Sequence, residues 1–103
     1  MKAADILTTA AGLVSGERAK QHGPMVKCHA AIAALWTAYL GNRRHPEDPL
    51  TALDASQMLL LMKVARVQTS EVLHEDHFLD QSGYAGCSGE IAAALEAEEA
   101  AHC

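Results

Sequence analysis

The stretch Leu53-Asp54-Ala55-Ser56-Gln57-Met58-Leu59-Leu60-Leu61-Met62-Lys63-Val64-Ala65-Arg66-Val67 decides the fold. It reads as one long helix, with Thr51 or Asp54 available as its cap. The block Met58 to Met62 is apolar all round, and a helix without a polar face has to be surrounded. This segment is therefore expected to be the most buried element, and the rest of the chain must supply helices to cover it.

On the N-terminal side, Met25 to Leu40 is a second strong helix whose Cys28/His29, Ile32, Leu35/Trp36 and Tyr39/Leu40 form one stripe. Gly41-Asn42 is its stop, and Arg43 and Arg44 suit the negative end of the helix dipole. His45 to Leu50 contains two prolines and reads as a loop. Further out, Ile6, Leu7, Ala10, Leu13 and Val14 make residues 3–14 an amphipathic helix ended by Ser15-Gly16. Glu17 to His22 is a polar turn, and Gly23-Pro24 forces a break.

On the C-terminal side, Thr69 to Asp76 is a connection. A fourth helix starts near Phe78 and is weakened by Gly83, Gly86 and Gly89, so that Glu90 to Ala101 reads as a separate helical piece. No internal repeat or low-complexity linker divides the chain. The fold class is all-α, a small bundle of four to five helices forming a single domain over residues 1–103. Composition agrees: hydrophobic residues are 50%, aromatics only 4%, and 20 residues are Ala, which favours helices packed through small side chains over a sheet. These values exclude a disordered tail, a collagen-like repeat and a disulfide-dense scaffold. A chain of 103 residues has a limited core, and a homodimer would supply the partners that the central helix lacks.

Charge is distributed unevenly. Residues 1–52 carry six Lys/Arg against four Asp/Glu, whereas residues 53–103 carry two against nine. After Arg66 there is no Lys or Arg, while Glu71, Glu75, Asp76, Asp80, Glu90, Glu96, Glu98 and Glu99 follow. A field of that sign repels phosphate backbones and attracts basic surfaces, which argues against direct nucleic-acid binding. Its plainer role is to keep a small helical protein soluble. The three cysteines, Cys28, Cys87 and Cys103, form no CxxC pair and leave an odd thiol, as in a reducing cytoplasm. The first residues carry an early acid and no long apolar core, so no signal peptide or membrane span is expected.

The densest cluster of chemistry-bearing residues is His74-Glu75-Asp76-His77-Phe78-Leu79-Asp80. On a helix, Asp76 and Asp80 share a face and would suit Mg²⁺ or Mn²⁺; equally, Asp76 would cap the helix and Asp80 would pair with a neighbouring cation. Lys63 and Arg66 are the cations nearest in kind, either as phosphate contacts or as an ion-pair brace to these acids. Arg18, Lys20 and His22 would line a substrate loop or merely fill a turn. Trp36 and Tyr39 read as core rather than as a stacking platform. Cys28 and His29 are adjacent and point to diverging faces of a helix, against a catalytic dyad. No glycine-rich phosphate loop, GxSxG or HExxH is present.

Four stretches in order, Ser15-Gly16-Glu17-Arg18, Lys20-Gln21-His22-Gly23, Ala31 to Gly41 and Leu61 to Arg66, followed by Glu75 to Ala85, resemble a family of small phage-encoded helical proteins. That pattern is itself similar to the all-α, MazG-like nucleotide pyrophosphohydrolases, in which ExxE and ExxD pairs on adjacent helices hold Mg²⁺. The resemblance would make Asp76 and Asp80 the metal ligands and Lys63 and Arg66 the phosphate contacts. The first acidic pair has no counterpart, since the third helix offers Asp54 and otherwise Gln57, Lys63 and Arg66. The family's Tyr-Gly is His22-Gly23 here.

Two expectations follow. In the first, no cofactor is needed and the chain binds another protein. The acidic surface of Glu71, Glu75, Glu90, Glu96, Glu98 and Glu99 would meet a basic partner, such as the nucleic-acid groove of a host defence complex, in the manner of small anti-CRISPR inhibitors. In the alternative, the chain is a MazG-like, Mg²⁺-dependent nucleoside triphosphate pyrophosphohydrolase.

Overall fold

The computed structural model of the chain describes residues 1–16 and 24–101, which form four helices: α1 (Ala3–Ser15), α2 (Met25–Gly41), α3 (Ala52–Thr69) and α4 (Asp76–Ala101). With no strand among the described residues, the architecture is the expected all-α small bundle. The polar turn at Glu17 to His22, the group Arg18, Lys20 and His22, and Cys103 lie outside the described residues.

Local chemistry sets the helix ends. At the start of α3 both expected caps act together. Thr51 Oγ1 accepts the Asp54 N–H at 3.1 Å, and Asp54 Oδ2 accepts the Thr51 N–H at 2.8 Å, a reciprocal capping box. α2 starts directly after Pro24, whose carbonyl accepts the Cys28 N–H at 2.9 Å. It ends at Asn42, whose N–H reaches the carbonyls of Ala38 and Tyr39 at 3.0 and 3.2 Å. In α1, Asp5 Oδ2 accepts the Lys2 N–H at 3.1 Å, placing an acid at the positive end of the helix.

α3 lies in the middle, with α2 on one side and α4 on the other. Trp36 Nε1 donates to the Met58 carbonyl at 2.7 Å, and Tyr39 Oη donates to Asp54 Oδ1 at 2.7 Å, so α2 and α3 run antiparallel. Followed down the two helices, that register brings Cys28 level with Ala65. These are the two most buried apolar residues described, 3% and 0% exposed. On the other side Ser56 meets Ser88 and Lys63 meets Asp80, which makes α3 and α4 antiparallel as well. Among the described residues α2 and α4 do not touch, and α1 touches none of the other helices.

One expectation needs correction. Asp76 to Ala101 is one continuous helix. Gly83, Gly86 and Gly89 do not break it, because Tyr84, Ser88 and the Lys63–Asp80 pair anchor the same stretch to α3. That tertiary support outweighs a propensity cost of about 1 kcal/mol per glycine. α3 is, as expected, the helix with the most buried residues, although within its apolar block Leu59 stays 37% exposed. Helices cover it from two sides only. The chain is accordingly extended, 52 × 33 × 27 Å with a radius of gyration of 16.9 Å. A compact domain of this length would have about 13 Å.

Candidate functional site

One polar constellation joins the end of α2 to the start of α3. Arg43 Nη2 lies 3.1 Å from Asp54 Oδ2, with both side chains 12% exposed. Arg43 also donates to the carbonyls of Asp48 at 2.8 Å and Pro49 at 3.1 Å, tying down the proline-containing loop. Hydrogen bonds from the Thr51 backbone and from Tyr39, together with Arg43, hold the Asp54 carboxyl below its ordinary value. Burial, and then the hydrogen bond to Asp54, push the Tyr39 hydroxyl up to about 12. These groups line an open cleft of about 660 Å³ together with Arg44, His45 and Leu61. Asp54 is saturated by partners and Tyr39 is held neutral, so neither is free to act as a base or nucleophile. The constellation is a lock between two helices and their loop. In the sequence, Arg43 reads only as a helix-end cation and Tyr39 only as core, because their shared partner lies across the loop.

The lock makes a testable pH dependence. Asp54 and Asp80 are both held below the ordinary carboxylate value of 3.8, Asp80 chiefly by its hydrogen bond from Lys63. Depressed acids contribute stability above that value and lose it as pH falls through their folded-state values. Tyr39, raised from 10.0, contributes the opposite way, its share disappearing between pH 10 and about 12. The urea midpoint should therefore fall below pH 4, and fall less steeply in Asp54→Asn. Equal acid slopes in the two proteins would show that the Asp54 charge adds no stability.

The interface between α3 and α4 is polar where the sequence shows only an apolar α3. Ser56 Oγ and Ser88 Oγ are 2.8 Å apart, Gln57 Nε2 donates to Ser88 Oγ at 2.9 Å, and Ser56 Oγ donates to the Tyr84 carbonyl at 3.3 Å. Two turns further, Lys63 Nζ lies 2.9 Å from Asp80 Oδ2. Of the two roles open to Lys63 and Asp80, this geometry is that of the brace. Arg66 adds its positive charge to the field at Asp80, and His77, on the same helix as Asp80, is 4% exposed. Spacing could have shown this face: His77, Asp80, Gln81, Tyr84 and Ser88 recur at helical intervals along α4.

Asp76 has a different partner from Asp80. Its N–H donates to His74 Nδ1 at 3.1 Å, and its carboxylate lies 3.3 Å from the same nitrogen, so His74 caps the start of α4. Among the described residues, no group of three or more His, Cys, Asp or Glu is placed to hold a metal ion. Cys28 is buried and Cys87 exposed, both as free thiols. His29 turns away from Cys28 to the Met25 carbonyl at 2.8 Å. No helix among the described residues is long and apolar enough to cross a membrane.

The acids of the second half fall into two groups. Glu71 and Glu75 are exposed around the start of α4, and Glu90, Glu96, Glu98 and Glu99 are exposed along its second half. At the rise of an α-helix, Glu75 and Glu96 stand about 31 Å apart. At 100° per residue Glu96, Glu98 and Glu99 point around the helix as a collar rather than along one stripe. No basic residue occupies the last turn of α4. Acids at that end oppose the helix dipole, an arrangement that costs roughly 0.3–1 kcal/mol each.

Over 81 residues, or 79% of its length, the chain is 40% identical to Gene 55 protein of Mycobacterium phage L5. It is 38% identical over 82 residues to Gene 55 protein of Mycobacterium phage D29. Those alignments take in 48% and 50% of the two phage proteins, so the chain spans about half the length of the curated relatives it matches. No solved structure matches it. Residues 5–92, covering α1 to α3 and most of α4, match the family described as Domain of unknown function (DUF6378). The chain belongs to that family, which it joins to proteins of mycobacteriophages.

Proposed function

We propose that this chain is a phage accessory protein that works by binding another protein, with the acidic end of α4 as its contact surface. The observation that carries the reading is the collar of Glu96, Glu98 and Glu99. The three are exposed, no cation stands among them, and they sit where they oppose the helix dipole. Residues that weaken their own helix gain when a basic surface neutralises them. The partner class that fits is a basic, nucleic-acid-binding groove, such as that of an RNA-guided host defence nuclease. Two features of the remaining polar residues support binding over hydrolysis: Asp80 is neutralised by Lys63, and Asp54 is saturated by Tyr39, Thr51 and Arg43.

The test is plasmid interference by an RNA-guided nuclease in bacterial cells, with and without this chain. The wild type should protect the targeted plasmid, and the triple variant Glu96→Lys, Glu98→Lys, Glu99→Lys should not. Because lysines suit a helix C-terminus, the variant should melt no lower than the wild type, which separates lost binding from lost folding. Protection by the variant equal to that by the wild type would overturn the electrostatic contact. A parallel screen against nucleoside triphosphates with Mg²⁺ and Mn²⁺ addresses the hydrolase alternative. Turnover that Asp80→Ala removes would make the chain a nucleotide-processing enzyme and reduce the acidic collar to a solubility device.

A further inference from the structure

The chain exposes more surface than a folded protein of its mass should, and many of its large apolar side chains are among what is exposed. Its accessible surface is 7342 Å² at 11.0 kDa. The size scaling of monomeric proteins gives about 5,600 Å² for that mass, which leaves about 1,700 Å² per chain unaccounted for.

α1 carries much of that surface. From Ile6 to Gly16 it has no charged residue, and Ile6, Leu7, Leu13 and Val14 share one face while standing 53, 70, 47 and 59% exposed. A helix of that composition does not stay in water alone. A second apolar surface lies where the antiparallel register gathers the start of α2, the end of α3 and the start of α4. There Met25, Val26, Val72, Leu73, Phe78 and Leu79 are all exposed. Within α2, no residue from Ala30 to Gly41 is charged, although the helix is covered by α3 on one side only.

We infer that the occupant of these surfaces is a second copy of the same chain, and that the protein is a homodimer in which α1 of each protomer packs on the three-helix layer of its partner. The area fits a second copy. Two copies burying their excess would remove about 3,400 Å², within the range of obligate homodimers. The dimer also supplies cover for the apolar block of α3, in which Leu59 is 37% exposed within its own chain. It is independent of the acidic collar, which stays outside the apolar faces.

The experiment is a solution mass of the full chain by sedimentation, in reductant so that the exposed Cys87 forms no disulfide, beside the double variant Leu7→Glu, Leu13→Glu. The wild type should sediment at twice 11.0 kDa. The double variant should dissociate about a hundredfold more readily, since charges would enter an apolar contact. α1 touches no other described helix within its own chain, so the substitutions remove no contact from the α2–α3–α4 layer. The variant's circular dichroism should stay helical. A wild type at the single-chain mass at high micromolar concentration overturns the inference. Hydrogen exchange of α1 then distinguishes closure on its own layer (protected amides) from a surface left for another protein (unprotected amides). A double variant that still dimerises as tightly as the wild type equally overturns the placing of α1 at the interface.

Discussion

Replacing Asp54 with alanine lowers the stability of the fold by about 3 kcal/mol, the largest loss expected from one side chain. The substitution acts at several places at once. The Thr51 N–H loses its acceptor at 2.8 Å, which undoes half of the α3 capping box. The Tyr39 hydroxyl loses the carboxylate to which it donates at 2.7 Å. Arg43, only 12% exposed, keeps its bonds to the Asp48 and Pro49 carbonyls but has no anion left beside it. Removing one member of a buried pair costs more than the pair contributes, because the survivor remains charged and desolvated. For a domain of this size the melting temperature should fall by roughly 15 °C. Asp54→Asn keeps an acceptor for the cap and removes the charge, so it should fall between the two. Urea unfolding of the three proteins at one concentration checks this. A loss below about 1 kcal/mol in the alanine variant would mean that the lock behaves as an ordinary surface ion pair.

The position of Asp54 shows what the sequence conveys and what it hides. Its part in the cap is local, one turn from Thr51, and spacing reveals it. Its bonds to Tyr39 and Arg43 cross a proline-containing loop, and neither residue type announces them. The same division runs through the fold. Helix ends at Ser15 and Gly41 follow punctuation that a single chain displays, and the all-α class follows from composition and period. The continuity of α4 does not, because glycine propensity is a local cost overruled by contacts with Ser56 and Lys63 on another helix. The apolar block at Met58 to Met62 signals that α3 needs covering, yet it cannot say whether the cover comes from the same chain.

The candidate site divides in the same way. Charge runs are visible in sequence, so the acids from Glu71 to Glu99 stand out at once. The separation of about 31 Å between Glu75 and the collar that starts at Glu96 depends on α4 being one continuous helix. A partner that meets the collar at Glu96 to Glu99 is therefore out of reach of Glu71 and Glu75 unless it is itself large.

Enlarging Ala65 to leucine is the second substitution expected to act strongly, costing about 2–3 kcal/mol. Ala65 is fully buried on α3, and the register set by Trp36–Met58 and Tyr39–Asp54 brings Cys28, 3% exposed, level with it on α2. Small side chains let the two backbones approach there, and three added heavy atoms can be housed only by moving α2 away from α3. The displacement should be visible at the other end of the interface. The single tryptophan, Trp36, donates to the Met58 carbonyl at 2.7 Å, so its emission reports on this helix pair alone. Ala65→Leu should shift that emission to the red in the folded protein and lower the urea midpoint. Ala65→Gly separates packing from volume: it adds no bulk, so it should leave the emission unchanged while costing about 1 kcal/mol in helix propensity. An Ala65→Leu protein with unshifted emission and unchanged midpoint would show that α2 and α3 do not close on each other at Ala65. The Asp54 lock would then be the main attachment of α2 to the rest of the fold.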